Sequence, residues 1–142
     1  MNVTKRSSSY VFDTGALALH FAGGSQGEKV KTHFDQVLGG RREGYISEAT
    51  MAEYFYKTCQ KLGIDVASIR AKSIRQSKIK TVPVDETVST IAGELKCRYA
   101  DKISIADAFA VATAKSKRSE LLTTDEAVAS LKEIETRHIP VQ

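Results

Sequence analysis

Cysteine is scarce in this chain: Cys59 and Cys97 are the only two in 142 residues. That is too few for a disulfide framework, and neither sits in a CxxC or Cys/His spacing suited to zinc. Both fall within helical patterns, so the expectation is two inert thiols buried in the core. Histidine is equally sparse. His20, His33 and His138 are scattered, none at a spacing with another ligand, and no role attaches to them. Long apolar runs are missing too. The stretch 10–22 is interrupted by Asp13 and His20 and falls short of the roughly 20 residues that span a bilayer. Residues 1–9 carry Lys5 and Arg6 with no apolar segment behind them, unlike a targeting sequence. The expectation is a cytoplasmic protein with a flexible tail over 1–9. There is no internal repeat and no low-complexity tract, and 1–142 reads as a single domain.

What is present is globular in character. The chain is 42% hydrophobic and 27% charged, enough to close a core without staples. Net charge is +4, which permits a polyanionic partner without requiring one. The distribution is more telling than the total. Arg70, Lys72, Arg75, Lys78 and Lys80 form a basic stretch, preceded by Lys57 and Lys61, with Asp65 the only acid between Lys57 and Lys80. Such a stretch is either a solvated face or a surface that tracks phosphates.

Strand-like runs alternate with helical patterns. Strands are expected at 9–12, 43–47, 78–84, 121–123 and 138–141, with Pro83 placing the third near an end or edge. Between them the spacing turns helical: Ala52, Phe55, Tyr56, Cys59 and Leu62; then Val88, Ile91, Ala92, Leu95 and Tyr99 after Asp85; then Ile105, Ala108, Phe109 and Ala112; and more weakly Val128, Leu131 and Ile134. Two further helices are expected in 27–38 and 65–76, and loops at 23–25 and 39–42. This order implies βαβ units and a three-layer α/β/α sandwich with a mostly parallel central sheet.

In an open parallel sheet, ligands bind beyond the carboxyl ends of the strands. Asp13 follows the first strand directly, and Asp125 follows the fourth after Thr123 and Thr124. If those strands are neighbours, both acids enter one crevice. Two more acids lie on helices that begin at the same edge. Asp107 stands three residues after Ser104, a capping-box spacing that explains a carboxylate there without any function. Glu53 lies one turn into the helix after the second strand and, taken alone, reads equally as a solvated or ion-paired side chain. Together the four would repel one another unless a cation were present. Oxygen ligands of this kind suit Mg²⁺ or Mn²⁺ rather than zinc. The corresponding chemistry is metal-assisted attack on a phosphodiester.

Here the motifs resemble a known family. Val11-Phe12-Asp13-Thr14-Gly15-Ala16-Leu17 is similar to the opening of a PIN domain, and Ile46-Ser47 followed by a helix carrying Glu53 is similar to its second motif. The segment 103–114, with Ser104, Asp107 and Ala108, resembles the third and most specific motif, and Leu121-Leu122-Thr123-Thr124-Asp125 the fourth. The four occur in order from about Tyr10 onward. The resemblance implies a flavodoxin-like fold, dependence on Mg²⁺ or Mn²⁺, hydrolysis of RNA leaving a 5′-phosphate, and a homodimer. Among small members, the VapC-type toxins of toxin–antitoxin pairs are the most similar in size and motif wording. That implies a cognate antitoxin whose peptide occludes the acidic pocket. Carried over position by position, Asp13 and Asp107 are the principal metal ligands, with Glu53 holding the metal or its water. Asp125 completes the cluster, and Thr14 and Thr123 orient carboxylates or waters. Glu48 is the rival to Glu53, which fits better because the family's acid lies further along the helix. Position 15 departs from the pattern, being Gly where the family has Ser or another small polar residue.

Other readings are weaker. Asp13-Thr14-Gly15 matches the aspartic-protease tripeptide, but that chemistry needs two copies in a β-rich fold. A receiver-like signalling domain needs an adjacent acid pair after the first strand and a lysine after the last, and has neither. A non-catalytic PIN-like module binding RNA or protein, and a housekeeping RNA-processing nuclease, share the same motifs and stay open.

Overall fold

The structure is a computed structural model that describes residues 9–141. The expected tail thus lies outside the described residues except for Ser9, which opens the first strand. In chain order the elements are β1 (Ser9–Phe12), α1 (Thr14–Ala22), α2 (Gly24–Leu38), β2 (Glu43–Ser47), α3 (Glu48–Leu62) and α4 (Ile64–Arg75). There follow β3 (Lys80–Val82), α5 (Glu86–Arg98), α6 (Ile105–Lys117), β4 (Glu120–Thr123), α7 (Glu126–Ala129) and β5 (Thr136–His138). The strands form one sheet in the order β3-β2-β1-β4-β5, and every pairing is parallel.

Alternation along the central strands divides the apolar residues between two layers. Tyr10, Phe12, Ile46 and Leu122 face one way and pack with Leu17, Val30, Phe34, Met51, Tyr54 and Ile74 from α1 to α4. Val11, Tyr45 and Leu121 face the other way, onto Val88, Leu95, Ala108, Val111 and Val128 from α5 to α7. Both faces are therefore covered, as a parallel sheet requires. β1 and β4 are buried throughout, and the α/β/α sandwich read from the sequence is the fold. Among the described residues no helix is long and apolar enough to cross a membrane.

Several local expectations need correction. On α3 the stripe of Ala52, Phe55, Tyr56, Cys59 and Leu62 faces outward, with Tyr56 and Leu62 about half exposed; Met51, Tyr54 and Thr58 face the sheet. Counting only apolar residues hid this, because the buried face carries hydroxyls. Tyr54 can be buried there because its hydroxyl accepts a hydrogen bond from Arg70 Nη1 at 3.1 Å. Cys59 is half-buried on that outer face and Cys97 is exposed beside the Val88–Ala92–Leu95 stripe, so neither is a core thiol. Ile105, at the first turn of α6, is exposed, whereas Ala108 and Ala112 are buried.

Some boundaries shift as well. β3 is confined to three residues, ending before Pro83, which cannot extend the ladder through an N–H. β5 pairs over Thr136–His138 rather than 138–141; Ile139 still donates to the Thr123 carbonyl and is buried, and Pro140 ends the pattern. The weak stripe at 128–134 yields only the single turn of α7, although Val128 and Leu131 do pack inward. The stretch 14–22, not assigned to a helix from the sequence, forms α1. Only Gly23 separates it from α2, and the positive φ of Gly23 and Gly24 makes that break.

Phe12, at the end of β1, is fully buried against Phe34 of α2, with ring centroids 4.4 Å apart. Phe12→Ala is therefore expected to lower stability by about 3–5 kcal/mol in urea unfolding. A loss below about 1 kcal/mol would contradict this packing.

Candidate active site

The strand order creates the site. From β1 the chain turns into α1, on one face of the sheet, whereas from β4 it turns into α7, on the other. A crevice opens where adjacent connections diverge, beyond the carboxyl ends of β1 and β4. Asp13 and Asp125 are the residues that stand there. Asp13, Glu53, Asp107 and Asp125 all line one cleft, together with Thr14, Gly15, Ala18, Lys57, Ser104 and Thr124.

Each acid is held by its local structure. Asp13 is the N-cap of α1 and accepts from the Ala16 N–H at 2.8 Å; its residue is only 5% exposed. Asp125 is the N-cap of α7, accepting from Val128 N–H at 3.0 Å, while its own N–H is donated to Thr123 Oγ1 at 3.0 Å. Asp107 closes a capping box with Ser104, both bonds being 3.1 Å. Glu53 accepts from the Thr14 hydroxyl and lies 3.4 Å from Lys57 Nζ, four residues on along α3. Thr123 is fully buried and its side chain hydrogen-bonds the Asp13 carboxylate, favouring the ionised form. Among the described residues, no three such side chains are drawn together as a ready-made metal cage.

Glu48 lies elsewhere. Its carboxylate takes two hydrogen bonds from Arg75, both 2.8 Å, and it lines a separate depression with Met51, Phe55 and Ala71. The basic stretch is divided in a similar way. Arg75 serves Glu48, and Arg70 stacks over the Phe21 ring at 5.0 Å while bonding Tyr54. Lys78 and Lys80 flank a depression with Arg42 near the amino ends of β2 and β3, away from the acids. Two cleft residues escaped the sequence reading as site residues. Lys57 was legible in principle from its four-residue spacing to Glu53. Thr124 was not, because a hydroxyl next to a motif residue carries no periodicity signal.

A model of the PIN domain matches residues 10–134. The chain belongs to the PIN domain family. Structural similarity agrees. A Salmonella typhimurium VapBC structure bound to DNA superposes with a TM-score of 0.73 at 14% identity, covering 92% of this chain and 97% of the other. VapC20 of Mycobacterium tuberculosis, a sarcin–ricin loop cleaving toxin, gives 0.67 at 19%, covering 88% and 98%. A Klebsiella pneumoniae toxin–antitoxin complex gives 0.64 at 21%, covering 92% and 99%. At these identities the likeness shows the fold. A sequence search of curated proteins found no match.

The electrostatics of the PIN cleft follow from burial. Loss of water pushes the Asp13 carboxyl up to about 6, and Asp107 and Asp125 add to the rise; the bonds from Thr123 and Ala16 oppose it. Asp107 is raised for the same leading reason, with Asp125 and Glu53 contributing. The cleft thus concentrates negative charge whose repulsion its own hydrogen bonds only partly offset. Its donors are carboxylate and hydroxyl oxygens, a set that a hard divalent cation fits.

The sign of the pH effect is fixed by that shift. Folded Asp13 holds its proton more tightly than the unfolded chain does, so its contribution to stability declines as pH rises from about 4 to about 6. Asp13→Asn keeps the cap and removes the charge. Without divalent ions it is expected to be more stable than wild type in urea unfolding at pH 7.5, by an amount on the order of 2–3 kcal/mol, with the advantage vanishing toward pH 4. A variant less stable at pH 7.5 would contradict the account.

Proposed function

We propose that this chain is a Mg²⁺- or Mn²⁺-dependent endoribonuclease hydrolysing RNA phosphodiester bonds, and the toxin of a type II toxin–antitoxin pair. The observation that carries the reading is the convergence of four carboxylates, two of them with raised pKa, in one cleft at the β1/β4 crevice. Membership of the PIN family and the fold shared with VapC toxins support it. One neighbour is a sarcin–ricin loop cleaving toxin and another a toxin–antitoxin complex, which is the basis for extending the toxin reading to this chain. The whole chain acts as one PIN unit, in the cytoplasm where its RNA is found.

In this reading Asp13 and Asp107 are the principal metal ligands, Glu53 holds the metal or its water, and Asp125 completes the cluster. A divalent ion bound there supplies Lewis acidity toward phosphoryl oxygens and lowers the pKa of water. The protein's part is placement. The Thr123 hydroxyl engages Asp13 and the Thr14 hydroxyl donates to Glu53, so both carboxylates are oriented before substrate arrives. The Ser104 backbone N–H does the same for the Asp107 carboxylate, donating to Oδ2 at 3.1 Å. Lys57 lines the cleft and can meet a phosphate, and Lys61 and Arg70 border an adjoining groove that shares Thr14, Ala18 and Lys57 with it.

Two partners accompany the activity. A homodimer is supported by the exposed apolar residues of α3 and α4, namely Tyr56, Leu62, Ile64 and Ile69, which a second copy would cover. Light scattering is expected to give twice the monomer mass, and a strict monomer at high concentration would count against it. A cognate antitoxin is expected to block the acidic cleft.

The direct test is cleavage of a panel of structured RNAs with Mg²⁺, Mn²⁺ or EDTA. Cutting should require the metal, leave 5′-phosphates, and fall by about 100-fold or more in Asp13→Asn and Asp107→Asn, whereas Glu48→Gln should keep it. No cutting by folded, antitoxin-free protein under any metal would instead favour a non-catalytic binding module.

A further inference from the structure

Gly15 leaves the first motif without a side chain two residues after Asp13. In the structure the gap is filled. A Cβ built on Gly15 would overlap the Thr124 hydroxyl oxygen and lie 3.0 and 3.1 Å from Thr124 Cβ and Cγ2. The space next to Asp13 that a side chain at position 15 would take is occupied from the opposite wall, by the turn between β4 and α7. No other glycine in the described chain stands against a side-chain hydroxyl in this way; Gly44 meets Val37, and Gly27 meets the Leu19 carbonyl.

The hydroxyls of the cleft divide by what they already do. Thr14 donates to Glu53, and Ser104 accepts from Asp107 N–H in the capping box. Thr123, behind the cleft, is engaged by Asp13 and by the Asp125 N–H. Thr124 is bonded only through its carbonyl, which faces His138 Nε2 at 3.3 Å; among the described residues no hydrogen bond engages its hydroxyl. It is the hydroxyl left for something that enters the cleft.

We infer that Gly15 and Thr124 form one unit, in which Gly15 is the vacancy that admits Thr124 and Thr124 delivers a positioning hydroxyl to the acidic cleft. Its ligand is an oxygen species: a water beside the acids or a non-bridging oxygen of the RNA phosphate. A hydroxyl both donates and accepts, so it can orient either. Thr124 acts by holding that oxygen in place and is a positioning residue. The inference rests on the nuclease reading for its role, but the shared space of the two residues does not depend on it.

The experiment combines cleavage kinetics, Mn²⁺ affinity by electron paramagnetic resonance and thermal melting on the full chain. Thr124→Val keeps the branched shape and removes the hydroxyl. It is expected to melt and bind Mn²⁺ like wild type while kcat falls about 10- to 100-fold with KM little changed, and Thr124→Ser is expected to restore kcat. Gly15→Ser should lower the melting temperature in the wild-type background and much less in a Thr124→Gly background, because the overlap is gone. Equal cleavage by Thr124→Val and wild type overturns the positioning role. Equal thermal cost of Gly15→Ser in both backgrounds overturns the shared space. A wild type that cuts no RNA removes the nuclease reading and the hydroxyl's role together, while the melting comparison still reports on the space.

Discussion

Asp13 is a carboxylate placed where water scarcely reaches it, at the point where a fully buried strand gives way to a helix. Ionising such a group is costly, and nearby Asp107 and Asp125 make it more so. The surrounding structure acts as compensation for this one charge. The first turn of α1 offers the Ala16 N–H, Thr123 offers its hydroxyl from the neighbouring strand, and the helix dipole places positive potential at the carboxylate. These contributions are incomplete by design of the fold, since the proton is still held up to about pH 6.

The same interactions build the fold and the site. Asp13, Ser104 with Asp107, and Asp125 are helix caps, so each acid begins an element as well as lining the cleft. That shared use explains why the acids converge. Parallel strands deliver every following helix start to one edge, and the change of side between α1 and α7 opens the gap into which the caps project. Glu53 is the exception. It comes from within α3 and needs Thr14 and Lys57 to hold it, which makes it the member least tied to the backbone.

Much of this was legible in the sequence because it depends on order rather than on detail. The short apolar run in 9–12, the position of Asp13 and Asp125 just after strands, and the Ser104–Asp107 spacing are local patterns that the sheet then assembles. What could not be read depends on partners far along the chain. The buried face of α3 is marked by Tyr54 and Thr58 rather than by the apolar stripe, and the burial of Tyr54 depends on Arg70, sixteen residues on, reaching its hydroxyl. β5 begins two residues earlier than expected because Ile139, the apolar residue that suggested it, anchors the chain just past the strand's end rather than lying in its middle. Gly15 read as a loss; only the register of β1 against β4 brings Thr124 into that space.

The central claim is that the cleft carries negative charge awaiting a divalent cation. Calorimetric titration of Mn²⁺ into the chain at pH 7.5 and at pH 5 measures it most directly. The account predicts saturable binding at pH 7.5 with little proton release, and markedly weaker binding at pH 5 that does release a proton, because Asp13 holds its proton up to about pH 6 and must lose it to become a ligand. Equal affinity at both pH values, or no binding at either, would contradict it.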